Sequence, residues 1–170
     1  MIDRRSAFRL AFAALSAIAL LRAGAALADQ AFRRFLPLFV DLDGWLGKKA
    51  DGMTMEMPNN SMTTATREYT SGSSQLHAAV VTGPAAAGAL ATTKSGMNIE
   101  TSEGHMISTT INGFPVSKTY NVPQKSGAIM VALGPAAMFS VSYNALTEEE
   151  ALPLAQKFDW KAFQAASEQK

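Results

Sequence analysis

The sequence predicts an α+β fold in which helices pack on a mostly antiparallel sheet. Three observations support this fold class. From residue 52 to residue 143, apolar and polar residues alternate in short segments, which is typical of half-buried strands. The connections between most of these segments are too short for the crossover that a parallel pair needs. Helix signals occur in the middle and at the C-terminus, so we expect a sandwich of sheet and helices.

Residues 1–28 have the pattern of a cleaved export signal. Their basic start is followed by an apolar run at residues 10–21, shorter than the roughly 20 residues of a membrane span. Residues 26–28 (Ala-Leu-Ala) form a small-x-small cleavage site. We expect cleavage after Ala28 and one α+β domain over residues 29–170. The basic start consists of Arg4, Arg5 and Arg9, and Arg22 is a fourth basic residue just before the cleavage region.

The pair Arg4 and Arg5 resembles the twin arginine of signals that export folded proteins. Those signals usually carry a large apolar residue two places after the pair, where this chain has Ala7, and Phe8 comes one place later. Twin-arginine export and general secretory export therefore both stay open. Either route predicts a periplasmic or secreted bacterial protein. No cysteine follows the signal, which excludes a lipid-anchored lipoprotein, and we expect no stable membrane anchor after cleavage.

The composition of residues 29–170 excludes several function classes. This part of the chain has 11 basic and 13 acidic residues, a net charge of −2. Nucleic acids and anionic membranes are normally bound by clustered Lys and Arg, so neither is an expected partner. The absence of cysteine excludes thiolate metal sites, iron–sulfur clusters and attached haem. The fold must therefore be stabilised by burial alone.

The elements follow in chain order. Residues 30–40 have the spacing of a short helix, whose regularity Pro37 limits. A turn is predicted at residues 41–45. It contains Trp45, whose large apolar ring we expect to cover one end of the core. Strands are then predicted at residues 52–57, 62–70, 75–81, 98–101, 105–111, 116–122, 128–133 and 138–143, separated by turn residues that include 58–60, 71–74 and 112–113.

Helix signals are strongest in two regions. The alanine-rich stretch at residues 85–93 has high helix propensity, and Gly96 is placed to end it. Thr147 and Glu150 form a capping box at the start of a C-terminal helix. Asp159 is a suitable N-cap for a second helical piece that carries Trp160.

By element order alone, the chain resembles the small secreted domains of the PsbP/Mog1 type. No sequence motif supports this resemblance, so it concerns shape only. It implies a sandwich of this kind and no particular activity.

A methionine stripe is the most distinctive candidate for a functional site. Met53, Met55 and Met57 share one face of a strand, and Met62 follows in the next strand. Thioethers select Cu(I), although residues about 6.6 Å apart along one strand need ligands from a neighbouring strand to close a site. His105 is a candidate additional ligand.

The expected role of these methionines is flexible apolar filling on the buried face of a strand. Two alternatives stay open, namely a Cu(I) site and an exposed methionine-rich contact surface. We otherwise expect no cofactor.

The best candidates for acid–base chemistry are Glu68, His77 and His105. The strand pattern places His77 on the face opposite Leu76, so we expect it to be solvent-facing. His105 begins a strand and is also expected to be exposed. The serines stand in turn contexts without a nucleophile motif, so no catalytic residue is assigned.

Other polar groups have simpler structural interpretations. Asp41 and Asp43 lack the remaining ligands of a calcium loop and indicate a turn. The glycines of residues 83–88 lack the spacing and the lysine of a phosphate loop. Arg67 and Tyr69 share a strand face and could contact a ligand, but packing at the margin of the sheet is the expected role.

These observations favour an exported, non-catalytic binding module whose partner is an envelope protein or a small ligand. A periplasmic Cu(I) carrier or chaperone is the first alternative. An enzyme of unknown class is the second.

Overall fold

The computed structural model describes residues 31–57 and 60–169, so the expected export signal and the tip at Pro58 and Asn59 lie outside the described residues. The described chain forms one antiparallel sheet of nine strands with three α-helices, which confirms the α+β class. The strands are β1 (Leu46–Gly47), β2 (Asp51–Met57), β3 (Asn60–Ser71), β4 (Ser74–Thr82), β5 (Ile99–Thr101), β6 (Gly104–Ile111), β7 (Phe114–Asn121), β8 (Ser126–Gly134) and β9 (Ala137–Asn144).

The order of strands across the sheet is β1-β3-β4-β9-β8-β7-β6-β5, and β2 pairs with the same edge of β3 as β1. Strands β5 to β9 form a continuous meander. The last strand, β9, lies in the middle of the sheet between β4 and β8. All eight predicted strands are confirmed, and among the described strands only the two-residue β1 was not predicted.

The helices are α1 (Pro84–Ser95), α2 (Glu148–Ala155) and α3 (Trp160–Glu168). Gly96 ends α1 in the left-handed conformation at φ 66°, where glycine carries no steric penalty. The capping box of Thr147 and Glu150 is formed at the start of α2, and the Asp159 carboxylate accepts a hydrogen bond from the Ala162 N–H. The predicted caps are therefore confirmed.

One face of the sheet, called the inner face, packs on α2, α3 and residues 31–45, which are called the N-terminal segment below. Its central ring is Phe163 of α3, which is fully buried. The Phe163 ring centroid lies 4.9 Å from Phe139, 5.2 Å from Phe39 and 6.4 Å from Phe35. The strand residues that face this core include Ala65, Tyr69, Leu76, Ala78, Val80, Val116, Ile129, Val131, Phe139 and Val141.

The opposite face, called the outer face, is crossed by α1. This helix runs over β3, β4, β9, β8 and β7 and buries Ala86 and Leu90 completely. Beneath α1, the outer-face residues Ala79 and Ser117 are buried. The residues directly before and after each of them in its strand point to the inner face. The helix thus covers only part of the outer face, and the remaining part carries exposed polar and methionine side chains.

The N-terminal segment differs slightly from the sequence expectation. Residues 36–38 form a single 3-10 turn with Pro37 near its start, instead of a regular helix. Trp45 is partly buried against the inner core, as expected. Within the described ranges, no helix combines the length and the apolar character that crossing a bilayer requires.

Candidate functional site

An open depression of about 320 Å³ lies on the part of the outer face that α1 leaves uncovered. Three residues form a row across its floor, because Glu68 of β3 pairs with His77 of β4 and His77 pairs with Ser142 of β9. Directly opposed residues in an antiparallel pair have Cβ atoms about 4.5–5.5 Å apart, so the three side chains are neighbours. The polar residues of the lining are Lys48, Glu68, Thr70, Gln75, His77, Ser142 and Asn144.

An ion pair forms one wall of the depression. The Lys48 ammonium donates to the Glu68 carboxylate at 2.6 Å, and the Lys48 backbone N–H donates to the Glu68 carbonyl at 2.8 Å. The hydrogen bond and the charge of Lys48 lower the pKa of Glu68, and His77 lowers it further. Glu68 therefore presents a carboxylate to the depression at neutral pH.

Glu68 and His77 are candidates from the sequence, whereas Ser142 is not. The exposed Ser142 side chain comes beside His77 only because β9 inserts next to β4, a pairing between residues 65 positions apart. Its alternation with the buried Val141 and Tyr143 marks it as an outward-facing strand residue. No sequence signal indicated which strand would be its neighbour.

The lining of the depression is rich in hydrogen-bonding groups. It offers one cation, one carboxylate, an imidazole, two hydroxyls and two amides. The backbone N–H groups of β3, β4 and β9 are largely taken up in the sheet ladders, so the floor has few main-chain donors to stabilise an oxyanion. This arrangement suits binding better than acyl transfer.

His105, the third member of the predicted trio, lies elsewhere. It is on β6 at the inner face, and its side chain is only 24% exposed, so the expectation that it is exposed is wrong. Its Nε2 lies 2.7 Å from a carboxylate oxygen of Glu148, the first residue of α2. The other carboxylate oxygen accepts from the Lys118 ammonium on β7. His105, Glu148 and Lys118 together connect α2 to the sheet and are called the clasp below. His105 therefore does not contribute to the depression.

The clasp carboxylate is stabilised in its charged form. Burial raises the pKa of Glu148, but hydrogen bonds from Lys118 and His105 outweigh burial and bring the pKa below its ordinary value. The Glu148 and Lys118 side chains are 13% and 16% exposed. The clasp is therefore a half-buried charge network that positions the start of α2.

Two stacked tyrosines continue from the clasp into the core. The Tyr120 and Tyr143 ring centroids are 6.4 Å apart, and His105 lies 5.9 Å from Tyr120. The Tyr143 hydroxyl is buried and has no hydrogen-bond partner among the described residues, and burial and the charge of Glu148 raise its pKa. This tyrosine therefore stays neutral over the ordinary pH range.

The methionine stripe lies on the outer face of the hairpin formed by β2 and β3. Met53 is 53% exposed and Met55 is 40% exposed, so the expectation that they fill the core is wrong. Met55 pairs directly with Met62, which is half-buried. The backbone of Met57 continues β2, and its side chain lies outside the described residues. His105 is not brought to these methionines, since it lies on the other face and on a different edge region of the sheet.

Small residues on the inner face explain why the methionines point outward. Phe32 lies against Gly52, where a Cβ atom would be 2.7 Å from the Phe32 ring. The Thr54 hydroxyl lies 3.3 Å from the Thr63 hydroxyl on the same face. Alternation therefore directs Met53 and Met55 to the other side of the strand.

Arg67 and Tyr69 have structural roles at the inner margin of the sheet, as expected. The Arg67 guanidinium donates to the carbonyls of Phe39 at 2.7 Å and Lys48 at 2.8 Å, and it pairs with Asp41. The Tyr69 hydroxyl donates to the Val40 carbonyl at 2.8 Å. Burial raises the pKa of Tyr69 to about 12, which Arg67 opposes only in part. Both side chains tie the N-terminal segment to β3.

The other polar residues and glycines considered in the sequence have structural roles. Asp41 is the partner of Arg67, and Asp43 stands in the turn before Trp45. Gly83 is the N-cap residue of α1 at φ 102°, and a Cβ atom there would clash with the Ser61 carbonyl, so this glycine has a packing role. Across the part of the chain that the structure describes, no three His, Asp or Glu residues are grouped to hold a metal ion.

Comparison with known proteins gives no assignment. No protein-family model matches the chain, and no curated protein and no solved structure matches it.

Proposed function

We propose that this chain is an exported, non-catalytic binding protein of the bacterial envelope that holds a small polar ligand in the outer-face depression. The observation that carries the proposal is the row of Glu68, His77 and Ser142 in a depression of about 320 Å³. Ligand sites in proteins commonly occupy about 300–1,000 Å³, so this one fits a ligand as small as an amino acid or a monosaccharide.

The chemistry of the lining supports a ligand with several hydrogen-bonding groups. Gln75 and Asn144 are each donor and acceptor, and Ser142 adds a hydroxyl. Lys48 and Glu68 neutralise each other, so the depression has no strong preference for one sign of charge. A neutral or zwitterionic ligand matches this balance.

The location and the fold family are further parts of the proposal. The basic start, apolar run and small-x-small site of residues 1–28 support export to the periplasm or exterior. The antiparallel sheet with helices on both faces is compatible with a PsbP/Mog1-type arrangement. The ligand function does not depend on either point.

The first test combines mass spectrometry with a ligand titration. The full chain is expressed in a bacterial host that can export it. The mass measured under denaturing conditions should be that of a chain that begins at Asp29. An NMR titration of that protein with single amino acids and monosaccharides should give amide shifts confined to residues around His77 and Ser142.

The variants make this test specific. His77→Ala with Gln75→Ala should abolish the shifts, whereas Thr110→Ala, an exposed substitution on the outer face of β6, should leave them unchanged. Absence of shifts with every probe, or shifts retained in the double variant, would contradict the proposed binding function.

A hydrolytic enzyme is a second candidate function, favoured by the order carboxylate, imidazole and hydroxyl in the row of Glu68, His77 and Ser142. A fluorophosphonate probe tests it, because such probes label only activated serines. Labelling that Ser142→Ala removes would support an enzyme, and an unlabelled wild-type protein would count against it.

A further inference from the structure

We propose that the thioethers of Met53, Met55 and Met62 form a Cu(I) site on the outer face of the β2–β3 hairpin. This site is separate from the depression and does not depend on the ligand proposed there. The sequence alone places three methionines along one strand, where they are too widely spaced to close around an ion. The register of β2 and β3 supplies the missing ligand from the neighbouring strand.

The backbone geometry allows the three side chains to converge. Met55 is directly opposite Met62, and Met53 lies two residues before Met55 on the same face. Opposed Cβ atoms are about 5 Å apart, neighbours along one face about 6.6 Å and diagonal pairs about 7–8 Å. A point about 4 Å from each Cβ atom therefore exists, within reach of flexible methionine side chains.

The surroundings favour a soft cation. Neutral thioethers bind Cu(I) without loss of a proton, and thioether ligands select Cu(I) over harder ions. Between Lys49 and Arg67 the sequence has no basic residue, whereas Asp51 and Glu56 are acidic. Asp51 and Met53 alternate with Gly52, so the carboxylate of Asp51 belongs to the same face as the thioethers.

The position of the site favours exchange of the ion over permanent storage. Met53 and Met55 are 53% and 40% exposed on a strand at the edge of the sheet. Their exposure leaves room for a ligand from another protein to approach the bound ion. The site therefore fits a copper carrier better than a buried cofactor centre.

The experiment measures Cu(I) binding to the full exported chain under anaerobic conditions with ascorbate, in competition with the chromophoric chelator bicinchoninate. The wild type should bind one Cu(I), and X-ray absorption should show a sulfur shell. The triple variant Met53→Leu/Met55→Leu/Met62→Leu should weaken Cu(I) binding by more than roughly 100-fold. Replacing a residue that only hydrogen-bonds to a metal ligand already costs roughly 10–100-fold in affinity, and this variant removes the ligands themselves. Leucine keeps the apolar volume, so the fold should be retained.

Met97→Leu is the matched control, because Met97 is 47% exposed but lies beyond α1. It should bind Cu(I) like the wild type. A test without substitutions uses Ag(I) as a redox-inert analogue, and the methyl resonances of Met53, Met55 and Met62 should shift together. A wild type without Cu(I) affinity, a triple variant with full affinity, or Ag(I) shifts confined to other methionines would each overturn the proposal.

Discussion

The two faces of the sheet differ in what their side chains do. The inner face places aromatic rings, the Arg67 tie and the clasp of Glu148 against two helices and the N-terminal segment. The outer face is crossed by a single alanine-rich helix and leaves the depression and the methionine stripe open. Stability is therefore concentrated on one face, and the groups suited to recognition lie on the other.

This separation means that neighbouring residues of one strand have different tasks. On β4, Leu76 is 2% exposed in the inner core, whereas His77 faces the depression. Substitutions on the inner face should act mainly on the free energy of unfolding. Substitutions in the uncovered part of the outer face should act mainly on ligand or metal binding.

The largest expected effect is the loss of the central ring of the inner core. Phe163→Ala removes the ring that three other phenylalanines contact and should lower the free energy of unfolding by about 3–5 kcal/mol. Urea unfolding followed by circular dichroism measures it. A loss below about 1 kcal/mol would show that the inner face does not dominate stability.

The clasp should make stability depend on pH. The folded-state pKa of Glu148 is below its ordinary value, so its contribution is complete above the unfolded-state pKa of about 4.3 and is lost as pH falls through the folded value. Glu148→Gln leaves Lys118 without its charged partner and should destabilise by about 2 kcal/mol at about pH 7.

The difference between Glu148→Gln and the wild type should shrink in urea unfolding at about pH 3. Glu149→Gln is the matched control, since Glu149 is exposed at the same helix end. An equal loss in both variants would indicate a general effect of helix charge instead of the clasp.

A smaller effect is expected at the cap of α2. Thr147→Ala removes the hydroxyl that accepts from the Glu150 N–H and should lower the free energy of unfolding by about 1 kcal/mol. Thr147→Ser keeps the hydroxyl and should restore most of it. Thermal unfolding of the two variants side by side makes the comparison, and equal midpoints would exclude a capping contribution.

The smallest effect on stability is expected in the depression. His77→Ala should change the free energy of unfolding by no more than about 0.5 kcal/mol, because no packed core is disturbed. Leu76→Ala, one residue earlier, should cost about 3 kcal/mol. The same urea unfolding assay compares the two variants. Similar losses of unfolding free energy would show that the two faces of β4 contribute equally to stability.

Local signals predicted the elements of this fold well. The Thr147–Glu150 box, the Asp159 cap and the Gly96 end of α1 each depend on residues within a few positions, and all are formed. Alternation predicted that Leu76, Ala78 and Val80 share a buried face, since a strand reverses its side chains at every residue.

The candidate sites depended on information that local patterns do not contain. Alternation fixes that Met53 and Met55 share a face, but the contact of Phe32 with Gly52 decides that this face is the outer one. Ser142 meets His77, and His105 meets Glu148, across 65 and 43 positions of sequence. Such pairings follow from the order of strands, which turn residues and propensities leave open.

The central position of β9 bears on how the chain acquires its structure. In chain order β9 (Ala137–Asn144) follows all the other described strands, yet it joins β4 to β8 within the sheet. Until residues 137–144 have left the ribosome, a growing chain has two separate sets of strands, each with an unpaired edge. Long-range strand pairing of this kind is slow and leaves such edges open to aggregation. A partner that shields the edges of β4 and β8 would therefore have most effect just before the last strand arrives.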